Sequence, residues 1–210
     1  MRPFNDATRR NIAARCSAFI RLADSDSTLP LKRAAVAIVL TPVGAAESET
    51  ALLLTMRAAG LRAHGGQWAL PGGRCDDGET AVEAALRELD EELGLRLSAD
   101  AVLGLLDDYP TRSGYLITPV VVWMSEQAAI TPNPHEVASV HPIALDTIEH
   151  DDAFDFVPIP ESARRVIRFH HYPGGTIHAP TAALIYQFRE VLAGRDTRVN
   201  ELEQPVFAWK

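Results

Sequence analysis

Three glutamates, Glu88, Glu91 and Glu92, stand at positions i, i+3 and i+4, so a helix that contains them presents all three carboxylates on one face. Carboxylates one turn apart repel each other by roughly 0.2–0.5 kcal/mol per pair unless a cation lies among them. Mg²⁺ and Mn²⁺ prefer such hard oxygen ligands. The face is therefore a candidate divalent-metal site, although three acids alone are more typical of a solvated helix surface.

The residues around these acids predict a helix that begins at Thr80 and ends at Gly94, a residue type that commonly follows the last helical turn. Apolar residues recur in this segment at the spacing of a buried stripe: Val82, Leu86, Leu89 and Leu93. The apolar stripe and the acidic stripe point in different directions. One face of the helix can therefore pack on a sheet while the other lines a cleft.

The 23 residues of this region carry every fixed position of the Nudix box at its spacing. These positions are Gly73, Glu79, Arg87, Glu88, Leu89, Glu91, Glu92, Gly94 and Leu95. The chain therefore resembles the Nudix hydrolase family, which hydrolyses nucleoside diphosphates linked to another moiety. The resemblance implies a Nudix fold and a Mg²⁺- or Mn²⁺-dependent pyrophosphohydrolase, in which the three glutamates bind the metal together with the backbone carbonyl of Gly72.

The box arginine, Arg87, has two possible partners in the sequence. Glu83 lies one helical turn before it and would form an ordinary surface pair, whereas Glu79 lies in the preceding loop. In the family the loop glutamate braces the box arginine, so we predict pairing with Glu79 and count both residues among the catalytic set.

Upstream, residues 53–73 are similar to the extension that marks the coenzyme A pyrophosphatase branch, with Leu70 standing where that pattern has Phe. The resemblance implies hydrolysis of coenzyme A or acyl-coenzyme A to 3′,5′-ADP and a 4′-phosphopantetheine product. Coenzyme A carries a 3′-phosphate besides its diphosphate, so we expect Arg57 and Arg62, with Gly73, to contact the substrate. An alternative role for the two arginines is that they merely solubilise a loop. Alternative substrates are ADP-ribose, a dinucleotide and an oxidised nucleotide. A Nudix module that senses a nucleotide without cutting it is an alternative of another class.

A further acid outside the box is common in Nudix enzymes. Glu136, which precedes a predicted strand, is our first candidate, and Asp108 is the second. One of the box glutamates or this additional acid is expected to accept the proton of the attacking water.

Composition limits the choice of partners. With 210 residues and 47% hydrophobic content, the chain can bury the core of one domain. A net charge of −8 argues against a large nucleic-acid surface. The sequence has no apolar run of 18 residues, so we do not expect a membrane partner. Two cysteines are too few for a disulfide framework. We expect a cytoplasmic enzyme that binds a small-molecule nucleotide, and we leave a homodimer open.

The alternation of predicted elements indicates three parts: an N-terminal helix and linker (1–30), a Nudix domain (31–195) and a C-terminal tail (196–210). Within the domain we predict an α/β/α sandwich, a mixed β-sheet with the box helix on one face and a C-terminal helix on the other. Predicted strands cover 34–41, 50–56, 101–106 and 116–124; helices cover 5–22 and 180–192, and a hairpin covers 166–178. The hairpin histidines are interpreted as edge-strand residues rather than a zinc site. The apolar tail, 201–210, is expected to pack on its own domain or on a second subunit.

Overall fold

The computed structural model describes residues 1–23, 30–44, 49–61, 64–124, 128–170 and 175–208. Its helices are α1 (Asp6–Ala18), α2 (Ala81–Leu93), α3 (Leu145–Glu149) and α4 (Thr181–Leu192). Its strands are β1 (Lys32–Val43), β2 (Glu49–Arg57), β3 (Trp68–Ala69), β4 (Gly72–Arg74), β5 (Val102–Leu105), β6 (Tyr109–Pro110), β7 (Tyr115–Trp123), β8 (Val137–Ala144), β9 (Phe154–Ile159), β10 (Ser162–Phe169) and β11 (Ile177–His178). Within these residues, none of the helices combines the length and hydropathy needed to span a membrane.

The main sheet is mixed, as predicted. Its strands follow the order β3-β2-β1-β7-β5, with β4 also pairing with β1, β6 with β7, and β8 with β2. The long β1 and β7 pair in parallel at the centre, whereas the other pairings are antiparallel. Both central strands are almost wholly apolar, as expected of strands buried on two faces.

Helices cover both faces of this sheet, which confirms the α/β/α sandwich. The alternation of side chains along β1 sends Ala35, Ala37 and Val39 toward the box helix α2, whose Leu89 and Leu93 belong to the same apolar cluster. The intervening residues belong to a second cluster with α1 and α4; its members include Ile38, Leu40, Ile12 and Phe188. The box helix is thus fixed against the sheet through its apolar stripe, and of its acidic stripe Glu91 is exposed while Glu92 is buried.

A second, smaller sheet of β9, β10 and β11 contacts α4. The predicted hairpin is confirmed in its strand pairing, Phe169 with Ile177, while its proposed turn at 173–175 falls largely outside the described residues. The pairing of β9 with β10 was not predicted, although only Pro160 and Glu161 separate the two strands, because this turn lacks the Asn-Gly or Asp-Gly pair that signals a short hairpin. His170 Nε2 lies 2.9 Å from Asp155 Oδ1, so this histidine contacts an acid of the neighbouring strand β9.

Both chain ends dock on the same core. The N-terminal helix ends at Ala18, earlier than predicted, and Ile20 is 78% exposed rather than packed. At the other end, Glu203 is buried, and the Tyr109 hydroxyl donates to the Leu202 carbonyl at 2.8 Å. Residues 202–205 therefore pack on their own domain, the first of the two arrangements expected for the tail, whereas Phe207 is 59% exposed and residues 209–210 lie outside the described part of the chain.

Candidate active site

Local sequence determines where α2 begins and ends. The Thr80 hydroxyl accepts a hydrogen bond from Glu83 N, and the Glu83 carboxylate accepts one from Thr80 N, which together form a capping box. Gly94 ends the helix in the left-handed conformation, with φ of 62°. Because Glu83 is used in the cap, its carboxylate is engaged at the helix start rather than with the box arginine.

Arg87 is bound by the loop glutamate, as predicted. Its Nε donates to Glu79 Oε1 at 2.9 Å and its Nη2 to Glu79 Oε2 at 3.1 Å, a paired geometry that fits a planar guanidinium. Nη2 also donates to the Arg74 carbonyl at 2.8 Å, and Nη1 reaches Glu88 and Glu91 at 3.0 and 3.2 Å. The hydrogen bond from Arg87 lowers the pKa of Glu79. Arg87 thus joins the loop to the acidic face of the helix.

The three box glutamates differ sharply in burial, which the helical spacing did not predict. Their side chains are 4% exposed for Glu92, 14% for Glu88 and 55% for Glu91. Glu92 Oε2 accepts a hydrogen bond from Gly72 N at 3.1 Å. Burial raises the pKa of Glu92 to about 7, and the charges of Glu88 and Glu136 add to the rise. Burial likewise raises the pKa of Glu88, against the lowering effect of Arg87.

The two glycines before the box helix allow its acids to approach the sheet. A Cβ on Gly73 would collide with the Glu88 carboxylate, and one on Gly72 would collide with the Ala35 carbonyl of β1. Gly72 also has φ of 148°, a backbone conformation that side chains disfavour. Glycine is therefore required at Gly72 by the close packing of β4 on β1, whereas a side chain at Gly73 would displace the Glu88 carboxylate from its position.

Arg57, at the end of β2, lies beside the most buried acid. Its Nη1 is 3.7 Å from Glu92 Oε1, and its Nε is buried without a hydrogen-bond partner among the described residues. A buried N–H that lacks an acceptor is costly, and a ligand oxygen would satisfy it. The second predicted arginine, Arg62, falls outside the described residues.

Of the two acids considered outside the box, the structure brings Glu136 toward the site. Its carbonyl accepts from Ala58 N at 2.8 Å, next to Arg57, and its charge raises the pKa values of Glu88 and Glu92. Asp108 instead pairs with Arg21 at 2.7 Å and Arg33 at 3.2 Å, and it accepts from the Thr118 hydroxyl. Asp108 therefore has a structural role between strands and chain ends.

The donors at this site suit a hard divalent cation. They are the carboxylates of Glu88, Glu91 and Glu92, with that of Glu136 nearby; burial raises the pKa values of Glu88 and Glu92, and the neighbouring acids add to the rise. Among the described residues, no group of three or more His, Cys, Asp or Glu side chains is arranged closely enough to hold a metal ion. The acids are neutralised by two arginines instead, Arg87 and Arg57.

A residue outside the predicted set also borders the site. The Arg74 guanidinium lies 5.2 Å above the ring of Tyr115. The two residues are 41 positions apart in the sequence and meet only because β4 and β7 both pair with β1. No spacing rule signals such a contact.

Comparison with known proteins gives one consistent family. A family model described as a NUDIX domain matches residues 31–167. A protein named uncharacterized Nudix hydrolase NudL, from Photorhabdus laumondii, is 33% identical over 156 residues, covering 73% of this chain and 83% of that protein. The protein of the same name from Pectobacterium atrosepticum is 40% identical over 121 residues, covering 57% and 62%. A MutT/nudix family protein from Enterococcus faecalis has a similar fold, with a TM-score of 0.56 at 18% identity over 81% of this chain and 64% of that one.

Proposed function

The chain belongs to the Nudix family and is a pyrophosphohydrolase acting on nucleoside diphosphate derivatives, and we propose that its substrate is coenzyme A or an acyl-coenzyme A. The products would be 3′,5′-ADP and 4′-phosphopantetheine or its acyl form. The reaction breaks one phosphoanhydride bond: a water oxygen attacks one phosphorus, the other phosphate leaves, and the water's protons are released to a base and to solvent.

The position of Arg57 is the observation that carries this proposal. The segment 53–73 is similar to the coenzyme A branch. It includes the end of β2, then β3 and the start of β4, where Gly72 N donates a hydrogen bond to Glu92 Oε2. Arg57, within this segment, presents a buried and unsatisfied Nε–H beside that acid. A diphosphate oxygen is an acceptor that a guanidinium binds well, so Arg57 is suited to hold the diphosphate against the acidic face.

We propose that Glu88, Glu91, Glu92 and the Gly72 carbonyl hold Mg²⁺ or Mn²⁺. When bound, the cation supplies charge neutralisation of the diphosphate and Lewis acidity at phosphorus. Arg87 orients Glu88 and Glu91 from one side, and its own position is fixed by Glu79. Gly73 lets the substrate approach closely, because it has no side chain between β4 and the carboxylates.

We propose that a carboxylate of the site accepts the proton of the attacking water. The raised pKa values of Glu88 and Glu92 bring both closer to the working pH, where a general base is most effective. Glu136 lies outside the helix and near both acids, which makes it the third candidate for this role.

The test is a mass-spectrometric screen of coenzyme A, ADP-ribose, NADH, diadenosine polyphosphates and oxidised dGTP with Mg²⁺ or Mn²⁺. We expect 3′,5′-ADP from coenzyme A as the fastest product, and its loss in Glu92→Gln. Asp90→Asn is the matched control, because Asp90 lies on the same helix but pairs with the exposed Arg96. Faster hydrolysis of any other compound would refute coenzyme A as the substrate.

The proposal also includes a cytoplasmic location for the enzyme and its assembly as a homodimer. Both cysteines are free thiols, as expected for a reducing compartment. Fractionation of the source cells and the native mass of the purified chain would check the two statements separately.

A further inference from the structure

A substrate with a phosphate on its ribose needs a cation besides the one that holds the diphosphate. Arg57 lies beside Glu92, and the proposed function assigns it to the diphosphate, so a second phosphate requires another cation. Two other cations border the site on the opposite face of the sheet, Arg74 and Lys32, and both are exposed.

Strand register brings these cations together on one face. Arg74 of β4 is opposite Ala34 of β1, and Lys32, two residues before Ala34, is opposite Tyr115 of β7. Residues that pair directly, and residues two apart on one strand, share a face of a sheet. The small side chain of Ala34 leaves room for Arg74 to reach across β1 and lie above the Tyr115 ring at 5.2 Å.

Neither cation has a counter-ion among the described residues. Among the residues that the structure describes, the Arg74 guanidinium contacts the Tyr115 ring but makes no ion pair or hydrogen bond, and the Lys32 ammonium has no partner. The neighbouring Arg33 and Arg112 are paired with acids. An arginine above an aromatic ring and a lysine opposite that residue in strand register, both without a counter-ion among the described residues, are suited to an anion with several oxygens.

This patch lies next to the acidic site. Arg74 directly follows Gly73, which abuts the Glu88 carboxylate, and the Arg74 carbonyl accepts the hydrogen bond from Arg87 Nη2. Consecutive residues of β4 therefore serve the two positions: Gly73 adjoins the acids, and Arg74 points to the other face of the sheet. A ribose that carries a diphosphate on one carbon and a phosphate on another has two anions that could bind on the two sides of this strand.

We propose that Arg74 and Lys32, at the ring of Tyr115, form a second anion site that binds a phosphate on the ribose of the substrate. The inference rests on the proposed function and extends it, since it makes the enzyme selective for 3′-phosphorylated nucleoside diphosphates. Tyr115 is a positioning residue: its ring holds the guanidinium, and its own backbone is fixed by hydrogen bonds from and to Thr111.

Binding of 3′,5′-ADP and of 5′-AMP, measured by calorimetry, tests the site without catalysis. A charge-assisted contact predicts that the wild type binds 3′,5′-ADP about tenfold to a hundredfold more tightly than 5′-AMP. Arg74→Gln and Lys32→Gln should each reduce this ratio and leave 5′-AMP binding unchanged. Tyr115→Phe should keep the ratio and Tyr115→Leu should lower it. Arg10→Gln, at an exposed arginine on α1, is the control for loss of one positive charge.

Kinetics separates this inference from the proposed function. With coenzyme A, Arg74→Gln should raise KM and leave kcat unchanged; with dephospho-coenzyme A, both constants should stay as in the wild type. If coenzyme A is not hydrolysed but the preference for 3′,5′-ADP depends on Arg74, the anion site stands and the proposed substrate is wrong. If the wild type treats the two ligands alike, or Arg74→Gln weakens both equally, the anion site is wrong whatever the substrate.

Discussion

Glu92→Gln should stabilise the metal-free protein, although it removes a residue of the active site. The Glu92 side chain is almost wholly buried, and burial raises its pKa from 4.5 to about 7. Glutamine has nearly the same shape and retains an oxygen that can accept the hydrogen bond from Gly72 N. The substitution therefore removes a buried negative charge together with its ion pair to Arg57 Nη1 at 3.7 Å, whose lowering effect is already included in the pKa of about 7.

The magnitude follows from the difference between the two pKa values. A rise from 4.5 to about 7 corresponds to about 3 kcal/mol against folding once the carboxyl is ionised in both states, at 1.36 kcal/mol per unit. Because the folded pKa of this acid is the higher one, its destabilising effect is absent below about pH 4.5, grows between the two pKa values and is complete above pH 7. The gain from Glu92→Gln should therefore be under about 1 kcal/mol near pH 5 and about 3 kcal/mol near pH 8.

Magnesium should stabilise the wild type more than Glu92→Gln and so narrow the difference in stability between the two proteins. At a hundredfold excess over the dissociation constant, Mg²⁺ stabilises the wild type by about 2.7 kcal/mol. If the loss of one ligand charge weakens binding about tenfold, the same Mg²⁺ concentration stabilises Glu92→Gln by only about 1.4 kcal/mol. For a domain of this size each kcal/mol shifts Tm by roughly 2–4 °C, so both differences are measurable.

Thermal denaturation in chelator, and then with increasing Mg²⁺, measures both effects. Glu91→Gln is the matched variant, because Glu91 is over half exposed and pairs with Arg87 at 3.2 Å. Its metal-free stability should stay within about 0.5 kcal/mol of the wild type. If Glu92→Gln is no more stable than the wild type near pH 8 without metal, or if both variants behave alike, the reasoning from burial is refuted.

Deleting residues 201–210 should lower Tm by several degrees, because Glu203 is buried and hydrogen-bonded to its own domain. An unchanged Tm would show that the tail contributes nothing to stability. Removal of the last two residues alone is the control. Arg57→Gln should lower kcat/KM about tenfold to a hundredfold for coenzyme A and dephospho-coenzyme A alike, as expected for a contact to the diphosphate, and a selective effect on one substrate would contradict this placement. Burial raises the pKa of Cys16 to about 12, and burial together with the charge of Glu79 raises the pKa of the Cys75 thiol. Alkylation near pH 8, followed by mass spectrometry, should therefore be slow at both cysteines until the protein unfolds. Rapid labelling of either cysteine in the native protein would contradict this prediction.

The sequence by itself determined the box helix and its orientation. Thr80 and Gly94 act through hydrogen bonds and backbone conformations within a few residues, so the ends of α2 could be predicted from local chemistry. The separate apolar and acidic stripes then dictated that one face packs on the sheet and the other remains free. The pairing of Arg87 with Glu79 was predicted by resemblance, and the capping role of Glu83 explains why the nearer acid is not the partner.

Only the tertiary structure decided what surrounds each of these side chains. Helical spacing makes Glu91 and Glu92 equivalent, yet one is over half exposed and the other is buried against Gly72, because β4 covers a single edge of the acidic stripe. The meeting of Arg74 with Tyr115 arises in the same way, since β4 and β7 flank β1. Burial and charge environment depend on pairing between segments far apart in the chain, and such pairing is set by packing of the whole sheet rather than by any local pattern.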